Sequence, residues 1–393
     1  MSEFNRWLLP EGIDELLPPQ AERLETLRRN LLDLYYRWGY DLVVPPLVEY
    51  LESLLTGTGH ELDLQTFKIT DQLSGRLMGV RADMTPQAAR IEAHRLNRAE
   101  PTRLCYLGSV LHTHIDGFAA SRSPKQVGAE LFGHAGVESD LEILQLVVQT
   151  LETAGIADYH LDLGHVGLFG ALTEQAGLSD EQEAHLFDAL QRKASAEIDT
   201  LLSEFALDSQ YRRWLAGLAE LNGGVEVLDD ARRLLDGAGE RVMSAIERVE
   251  QLANAISAYR AGLKVYFDLA ELRGYHYHTG VVFAAFVPGH GQEVIRGGRY
   301  DDIGAVFGRS RPAVGFSGDL RILMALGDTP PTEDRGIFAP ADADEQLNTL
   351  IANLRDQGER VIRELPGQSG EAREMRCNRR LMRRGGGWEI VPI

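Results

Sequence analysis

The strongest constraint on the fold lies between residues 108 and 133, GSVLHTHIDGFAASRSPKQVGAELFG. Two apolar segments, 104–111 and 127–132, flank a polar, glycine-containing loop that runs from His112 to Lys125. That arrangement predicts an antiparallel hairpin with a long loop, and loops of this length carry function more often than packing. Side chains on a strand alternate between faces, so Gln126 and Glu130, four apart, point the same way. An amide and a carboxylate side by side on one sheet face make a receptor for an ammonium or an imidazole. The same pattern also suits a half-buried strand with a wet polar face, and the hairpin alone does not separate the two readings.

At 393 residues the chain exceeds what one small core organises, so two or three domains are expected. A net charge of −19 argues against non-specific nucleic-acid binding, which needs a positive field to release counterions. Cys105 and Cys377 stand far apart and without metal-ligand spacing, which fits a reducing compartment and no disulfide framework. His112 and His114 lack a third carboxylate or cysteine ligand nearby, so no metal is expected. The first residues, MSEFNRWLLPEG, show neither the basic start nor the apolar core of a secretory signal. No apolar run approaches membrane-spanning length, and a cytoplasmic location is expected.

Along the chain, Ala21, Leu24, Leu27, Leu31, Leu34, Tyr35 and Trp38 have the spacing of an amphipathic helix that stops at Gly39. A short strand is expected at 40–44, a hairpin from 66–70 and 76–80, and a helix from Thr85-Pro86 to His94. A helix at 139–154 and a strand at 159–163 precede a strongly helical stretch, about 168–260, that looks like an insertion. Strand patterns return at 264–269, 275–287, 293–295 and 313–316, followed by a helix at 319–326. The paired glycines Gly297-Gly298 read as scaffold, serving a tight turn or a close backbone approach. Beyond a linker at 328–335, residues 336–393 read as a small α/β module with strands at 336–339, 360–365 and 388–391 and a helix at 344–357. Such a module is marginal unless docked. Its arginines, Arg373, Arg376, Arg379, Arg380, Arg383 and Arg384, have the spacing of one basic helical face, suited to solvent, RNA or an acidic partner. The fold class is α+β.

Several short motifs occur in order: Leu9-Pro10-Glu11-Gly12, Arg81-Ala82-Asp83-Met84-Thr85, Leu272-Arg273-Gly274-Tyr275-His276-Tyr277 and Gly297-Gly298-Arg299-Tyr300-Asp301. With the first helix running into Pro45-Pro46, they resemble the catalytic core of class II aminoacyl-tRNA synthetases, and within that class the histidyl enzyme. The resemblance covers roughly residues 9–326. It implies an antiparallel sheet flanked by helices in a core at 1–327, carrying the helical insertion, and a homodimer built through the first helix and strand. It also implies a histidine site. Asp83, Gln126 and Glu130 would hold the ammonium and imidazole, with Thr85 assisting and Arg122 on the loop. Arg273 would meet the carboxylate, and Tyr275, Tyr277 and His278 would line the imidazole side. Asp83 stands in place of the family's glutamate and His276 in place of an aspartate.

The nucleotide grip departs from that family. Leu111, His112 and His114 fall where it reads Phe-Arg-x-Glu, and a neutral histidine does not supply arginine's bidentate, permanently charged hold on phosphate. Later, Asp319-Leu320-Arg321-Ile322 follows Ala313-Val314-Gly315-Phe316, so the second nucleotide arginine falls on Ile322, or on Arg321 with a one-place slip. Losing two cationic ligands removes most adenylate-forming activity. A kept amino-acid pocket beside a lost phosphate grip is similar to the regulatory subunits of short-form ATP phosphoribosyltransferase, as are Asp83-Met84-Thr85-Pro86-Gln87 and the ending Leu381-Met382-Arg383-Arg384-x-x-x-Trp388. That family implies no catalysis and no cofactor in this chain. It implies a separate catalytic subunit as partner, in a hetero-octamer of four plus four, and histidine as feedback effector in the first step of histidine biosynthesis. A histidine-activating ligase and a tRNA-binding paralogue are the alternative readings.

Overall fold

The helix Gln20–Arg37 turns Leu27, Leu31, Leu34 and Tyr35 into the core, as its apolar spacing predicts. It belongs to a computed structural model that describes residues 7–56, 60–114, 121–272, 277–328 and 335–393. The chain forms two compact units, residues 1–329 and 330–393.

In chain order the first unit has strands β1 (Asp41–Leu42), β2 (Val48–Tyr50), β3 (Phe67–Thr70), β4 (Leu77–Val80), β5 (Thr102–Ser109) and β6 (Lys125–Phe132). They are followed by β7 (His160–His165), β8 (Asn222–Gly223), β9 (Lys264–Asp268), β10 (Val281–Phe286), β11 (Glu293–Arg299) and β12 (Ala313–Asp319). Among the described residues one large sheet runs β1-β5-β6-β12-β11-β10-β7-β9-β8, and a small one runs β2-β4-β3. The large sheet is antiparallel except where β1 meets β5 and β7 meets β9. The predicted hairpin is β5 and β6, in which Leu104 lies opposite Glu130 and Gly108 opposite Gln126.

Alternation along β6 divides its work. Val127, Ala129 and Leu131 enter the main core, against a face packed with Gln20–Arg37 and Val137–Thr153. Gln126, Gly128 and Glu130 point to the opposite face, where the helix Thr85–Ile91 and a second cluster containing Ala89, Leu104, Phe132 and Tyr300 lie. Helices interrupted only by β8 run from Gly167 to Tyr259 among the described residues, and Leu172, Leu186, Trp214, Leu215 and Ile246 share the main core. Local chemistry sets their ends, as at Ser179 and Gln182, which form a reciprocal capping box for the helix Asp180–Gln191.

Three expectations are corrected. Of the strand expected at 275–287, residues 275 and 276 lie outside the described residues, and among the described ones the strand is Val281–Phe286, with Tyr277 stacked on Tyr300 at 5.0 Å between ring centroids. Gly297-Gly298 lies within β11 rather than in a turn. A Cβ on Gly297 would meet the Gly315 carbonyl at 2.2 Å, and one on Gly298 would meet the His278 ring at 2.7 Å, so close approach demands both glycines.

The third correction concerns the arginine cluster. The second unit has strands β13 (Gly336–Ala339), β14 (Val361–Arg363), β15 (Cys377–Arg384) and β16 (Gly387–Pro392), ordered β14-β13-β15-β16, with the helix Glu345–Asp356. Arg379, Arg380, Arg383 and Arg384 therefore sit on a strand. Cys377 and Leu381 provide the buried anchors, and Arg379 pairs with Glu359 at 2.7 Å. Ile337, Leu347, Ile351 and Leu381 make the unit's core, and Asp344 both caps the helix and accepts the Trp388 indole N–H at 3.0 Å.

Candidate functional site

Glu130 sits on the middle of a central strand and is only 1% exposed. A carboxyl group so placed needs partners, since an unpaired buried charge is strongly unfavourable. The Tyr106 hydroxyl donates to Oε1 at 2.8 Å, and the Tyr300 hydroxyl donates to Oε2. Glycines make the room. Gly315 faces Glu130 across β12, where a Cβ would overlap Oε2 at 1.6 Å, and Gly128 lets the Tyr106 ring cross β6. The Tyr106 hydroxyl also lies 2.9 Å from Thr85 Oγ1, whose single hydrogen serves either that contact or Asp83.

Thr85 carries the network on to Asp83. Its N–H donates to Asp83 Oδ1 at 2.9 Å, its Oγ1 lies 3.0 Å from that oxygen, and Gln126 Nε2 donates to the same oxygen at 2.6 Å. The Met84 N–H donates to Gln126 Oε1 at 2.8 Å, which fixes which way the amide points. Asp83, Thr85, Gln126 and Glu130, four residues singled out from sequence, thus belong to one hydrogen-bonded chain. Tyr277 stacks on Tyr300, and its buried hydroxyl has no hydrogen-bond partner among the described residues. The His278 ring lies over Gly298. Arg273 and Tyr275 lie outside the described residues.

Two members of the network were not anticipated, Tyr106 and Tyr300. The signal for Tyr106 is its parity on β5, midway between the partners of Glu130 and Gln126 and opposite a glycine. For Tyr300 it is only the adjacency to Gly297-Gly298-Arg299. Burial pushes the hydroxyls of Tyr106, Tyr277 and Tyr300 well above the ordinary tyrosine range, and Glu130 adds to the effect, so all three remain donors.

Burial also pushes the Glu130 carboxyl from 4.5 up to about 8, against the downward pull of Tyr300 and Tyr106 and with a further push from Asp83. Between these limits the native chain holds a proton that the unfolded chain has lost, so stability falls as pH rises through the window. Each pH unit of that window is worth ~1.4 kcal/mol, which makes the whole fall on the order of a few kcal/mol. Denaturant midpoints measured from pH 5 to pH 8 are expected to decline, and Glu130→Gln is expected to flatten that decline. A cationic ligand would reverse the balance by favouring the carboxylate.

Arg122 lies in a different network. Its Nε donates to the His112 carbonyl and its Nη1 to the Glu11 carbonyl, both at 3.1 Å. His112 Nε2 is 2.9 Å from the Ala82 carbonyl. Arg321 pairs with Asp14, and its Nη1 donates to Ser121 Oγ at 3.3 Å. Among the described residues no cluster of three or more His, Cys, Asp or Glu side chains could hold a metal, and no helix is long and apolar enough to cross a membrane.

A family model described as histidyl-tRNA synthetase matches residues 12–323, and one described as ATP phosphoribosyltransferase subunit HisZ C-terminal domain matches residues 334–391. The ATP phosphoribosyltransferase regulatory subunit of Thioalkalivibrio sulfidiphilus is 61% identical, over 98% of this chain and 97% of its own. The protein of the same name from Alkalilimnicola ehrlichii is 59% identical, over 100% and 98%. Among solved structures, an ATP phosphoribosyltransferase regulatory subunit/histidyl-tRNA synthetase from Bacillus halodurans is similar, with a TM-score of 0.83 and 26% identity over 94% of this chain and 96% of that one. A histidyl-tRNA synthetase from a Nostoc species shares the fold, with a TM-score of 0.78 at 18% identity over 96% and 91%. Its class II synthetase-like α+β core and its C-terminal unit, matched in sequence along their whole length, place this chain in the family of ATP phosphoribosyltransferase regulatory subunits.

Proposed function

We propose that this chain is the histidine-responsive, non-catalytic partner of a short ATP phosphoribosyltransferase catalytic subunit in the first step of histidine biosynthesis. It activates that subunit and carries feedback inhibition by histidine. The observation that supports this reading best is Glu130, a buried carboxyl group held by neutral tyrosine hydroxyls, with no ion pair among the described residues. Such a group is completed by a ligand cation. Asp83 and Gln126 receive the ammonium, with Thr85 fixing Asp83, while Glu130 and the Tyr277 hydroxyl receive the imidazole beside His278. Arg273 takes the carboxylate, Tyr275 lines the same side, and Arg122 is a second guanidinium on the loop. Histidine inhibits by binding more tightly to one of two states of the assembly.

The assembly proposed is a hetero-octamer of four regulatory and four catalytic chains in the cytoplasm, without a cofactor in this chain and without nucleic acid. Its regulatory chains form homodimers through the first helix and its neighbours. Exposed apolar side chains there, Tyr36, Leu42, Val44 and Leu47, support that surface.

The test is reconstitution. A short-form catalytic subunit is assayed alone, with this chain, and with this chain plus histidine. Turnover is expected to rise on adding the chain and to fall again on adding histidine. No change in either condition contradicts the proposal, and histidine-dependent pyrophosphate exchange by the purified chain would replace it with the ligase reading.

A further inference from the structure

The strand β7 ends at His165 and turns through Val166 into the helix Gly167–Ala176. The Val166 N–H donates to the Gly280 carbonyl at 3.1 Å and the Thr279 N–H to the Arg299 carbonyl at 2.8 Å, so this turn is tied to the ends of β10 and β11. Gly167 lets the His165 ring lie against the turn, since a Cβ there would meet ring Cε1 at 2.9 Å. The Gly167 N–H donates to His165 Nδ1 at 3.1 Å. Burial, with the guanidinium groups of Arg248 and Arg299, pushes the ring pKa from 6.5 down to about 4. The ring is therefore neutral with its hydrogen on Nε2, and that N–H has no acceptor among the described residues. Strand pairing puts His165, Val281 and Arg299 on the sheet face opposite Glu130.

A groove of about 520 Å³ opens beside this ring, bordered by the first turns of the helix Glu240–Tyr259. Arg248 in its wall donates to Asp140 from Nε and Nη2, and Nη2 also reaches the Ala135 carbonyl. Those bonds fix the guanidinium plane and leave Nη1 without an acceptor among the described residues. Thr279 Oγ1 accepts the Asp301 N–H at 2.9 Å, so its own hydrogen is free to donate. Ser244 adds an exposed hydroxyl, and Ala245 and Val281 supply apolar wall. Arg241 pairs with Glu174 where both side chains are exposed, a weak tie. Glu240, the one carboxylate among the lining residues, is exposed and screened by solvent. Two permanent cations and three neutral donors exceed what a singly charged carboxylate accepts. They suit the three terminal oxygens and the nearly double charge of a phosphomonoester. We propose that His165, Ser244, Arg248 and Thr279, with Arg241 at the rim, bind the phosphate group of a small organic phosphomonoester. The site is separate from the Glu130 pocket, which lies on the other face of the sheet.

The probe is glycerol 3-phosphate, titrated into the full-length chain carrying a carbon-13 label at histidine Cε1 while the His165 resonance is followed by NMR. Loss of a single resonance in His165→Asn identifies it. A saturable shift is expected with glycerol 3-phosphate and none with glycerol. Ser244 is exposed, so Ser244→Glu is expected to keep its circular dichroism spectrum. By placing a carboxylate in the groove it should weaken binding at least ~10-fold. Arg241→Ala, at a second exposed position, should weaken binding ~3-fold or more, and decides the matter if Ser244→Glu does not fold. Arg233→Ala removes the same charge from an exposed helical position outside the groove and should stay within ~2-fold of wild type. Absence of a saturable shift overturns the inference, as does an equal shift with glycerol or acetate. Unchanged affinity in folded Ser244→Glu or in Arg241→Ala overturns it too. So does an equal loss in Arg233→Ala, which would mark a general charge effect.

Discussion

Asp140→Ala is expected to destabilise the first unit by about 3–5 kcal/mol, the range for stranding a buried charge. Asp140 is completely buried and receives two guanidinium groups. Arg299 donates to Oδ1 from Nε at 2.9 Å and from Nη2 at 2.6 Å, while Arg248 donates to Oδ2 from Nε at 2.9 Å and from Nη2 at 2.7 Å. Arg299 itself is buried and keeps Ser139 Oγ, the His134 carbonyl and Asp301 as remaining acceptors. Those spread its hydrogen bonds but leave the charge less compensated, which is why the loss outweighs the modest net value of the pairs themselves. Arg241→Ala is the control, because Arg241 and Glu174 form a pair with both side chains 68% exposed, where a change within ~0.5 kcal/mol is expected. Denaturant midpoints measure both. Similar midpoints for the two variants would show that the Asp140 cluster does not lock β11 to the helix Val137–Thr153.

Glu130→Ala is expected to weaken histidine binding by at least ~100-fold, about 2.7 kcal/mol, while leaving the dimer intact. Two effects act together. The variant removes the negative charge that meets the ligand cation, and it leaves the Tyr106 and Tyr300 hydroxyls without their shared acceptor in a buried site. Glu130→Gln keeps the volume and one acceptor oxygen, so it separates the charge from the shape. Its loss should lie close to that of alanine if charge dominates. In the reconstituted assembly, histidine should no longer inhibit the Glu130→Ala variant, although activation persists. Retained inhibition would place the sensor elsewhere.

How much of this was legible before the structure depended on whether a residue's role is local. Gln126 and Glu130 could be paired from strand parity alone, and Thr85-Pro86 from the chemistry of a helix start, because both rules act within a few residues. The run of helices after β7 was equally legible from periodicity. Tyr106 and Tyr300 were not found because their roles arise only when β5 and β6 pair and residue 300 folds back under the β12 glycine. For Gly297-Gly298 the turn reading fails and the close-approach reading holds: glycine serves both alike, and only the facing Gly315 carbonyl and the His278 ring distinguish them. The arginines of β15 matched a helical spacing because pairs at 379–380 and 383–384 satisfy i, i+3 and i+4 while also falling on both faces of a strand on either side of Leu381.

Calorimetric titration of L-histidine into the purified full-length chain, beside Glu130→Ala, is the decisive measurement. One saturable site per chain is expected in wild type. Little net proton exchange with the buffer is expected at pH 7, because the proton that the buried carboxyl gives up is taken by the incoming, mostly neutral imidazole, and no measurable site is expected in the variant. Wild type that fails to bind histidine, or a Glu130→Ala chain that binds it equally well, would contradict the assignment of this pocket as the sensor.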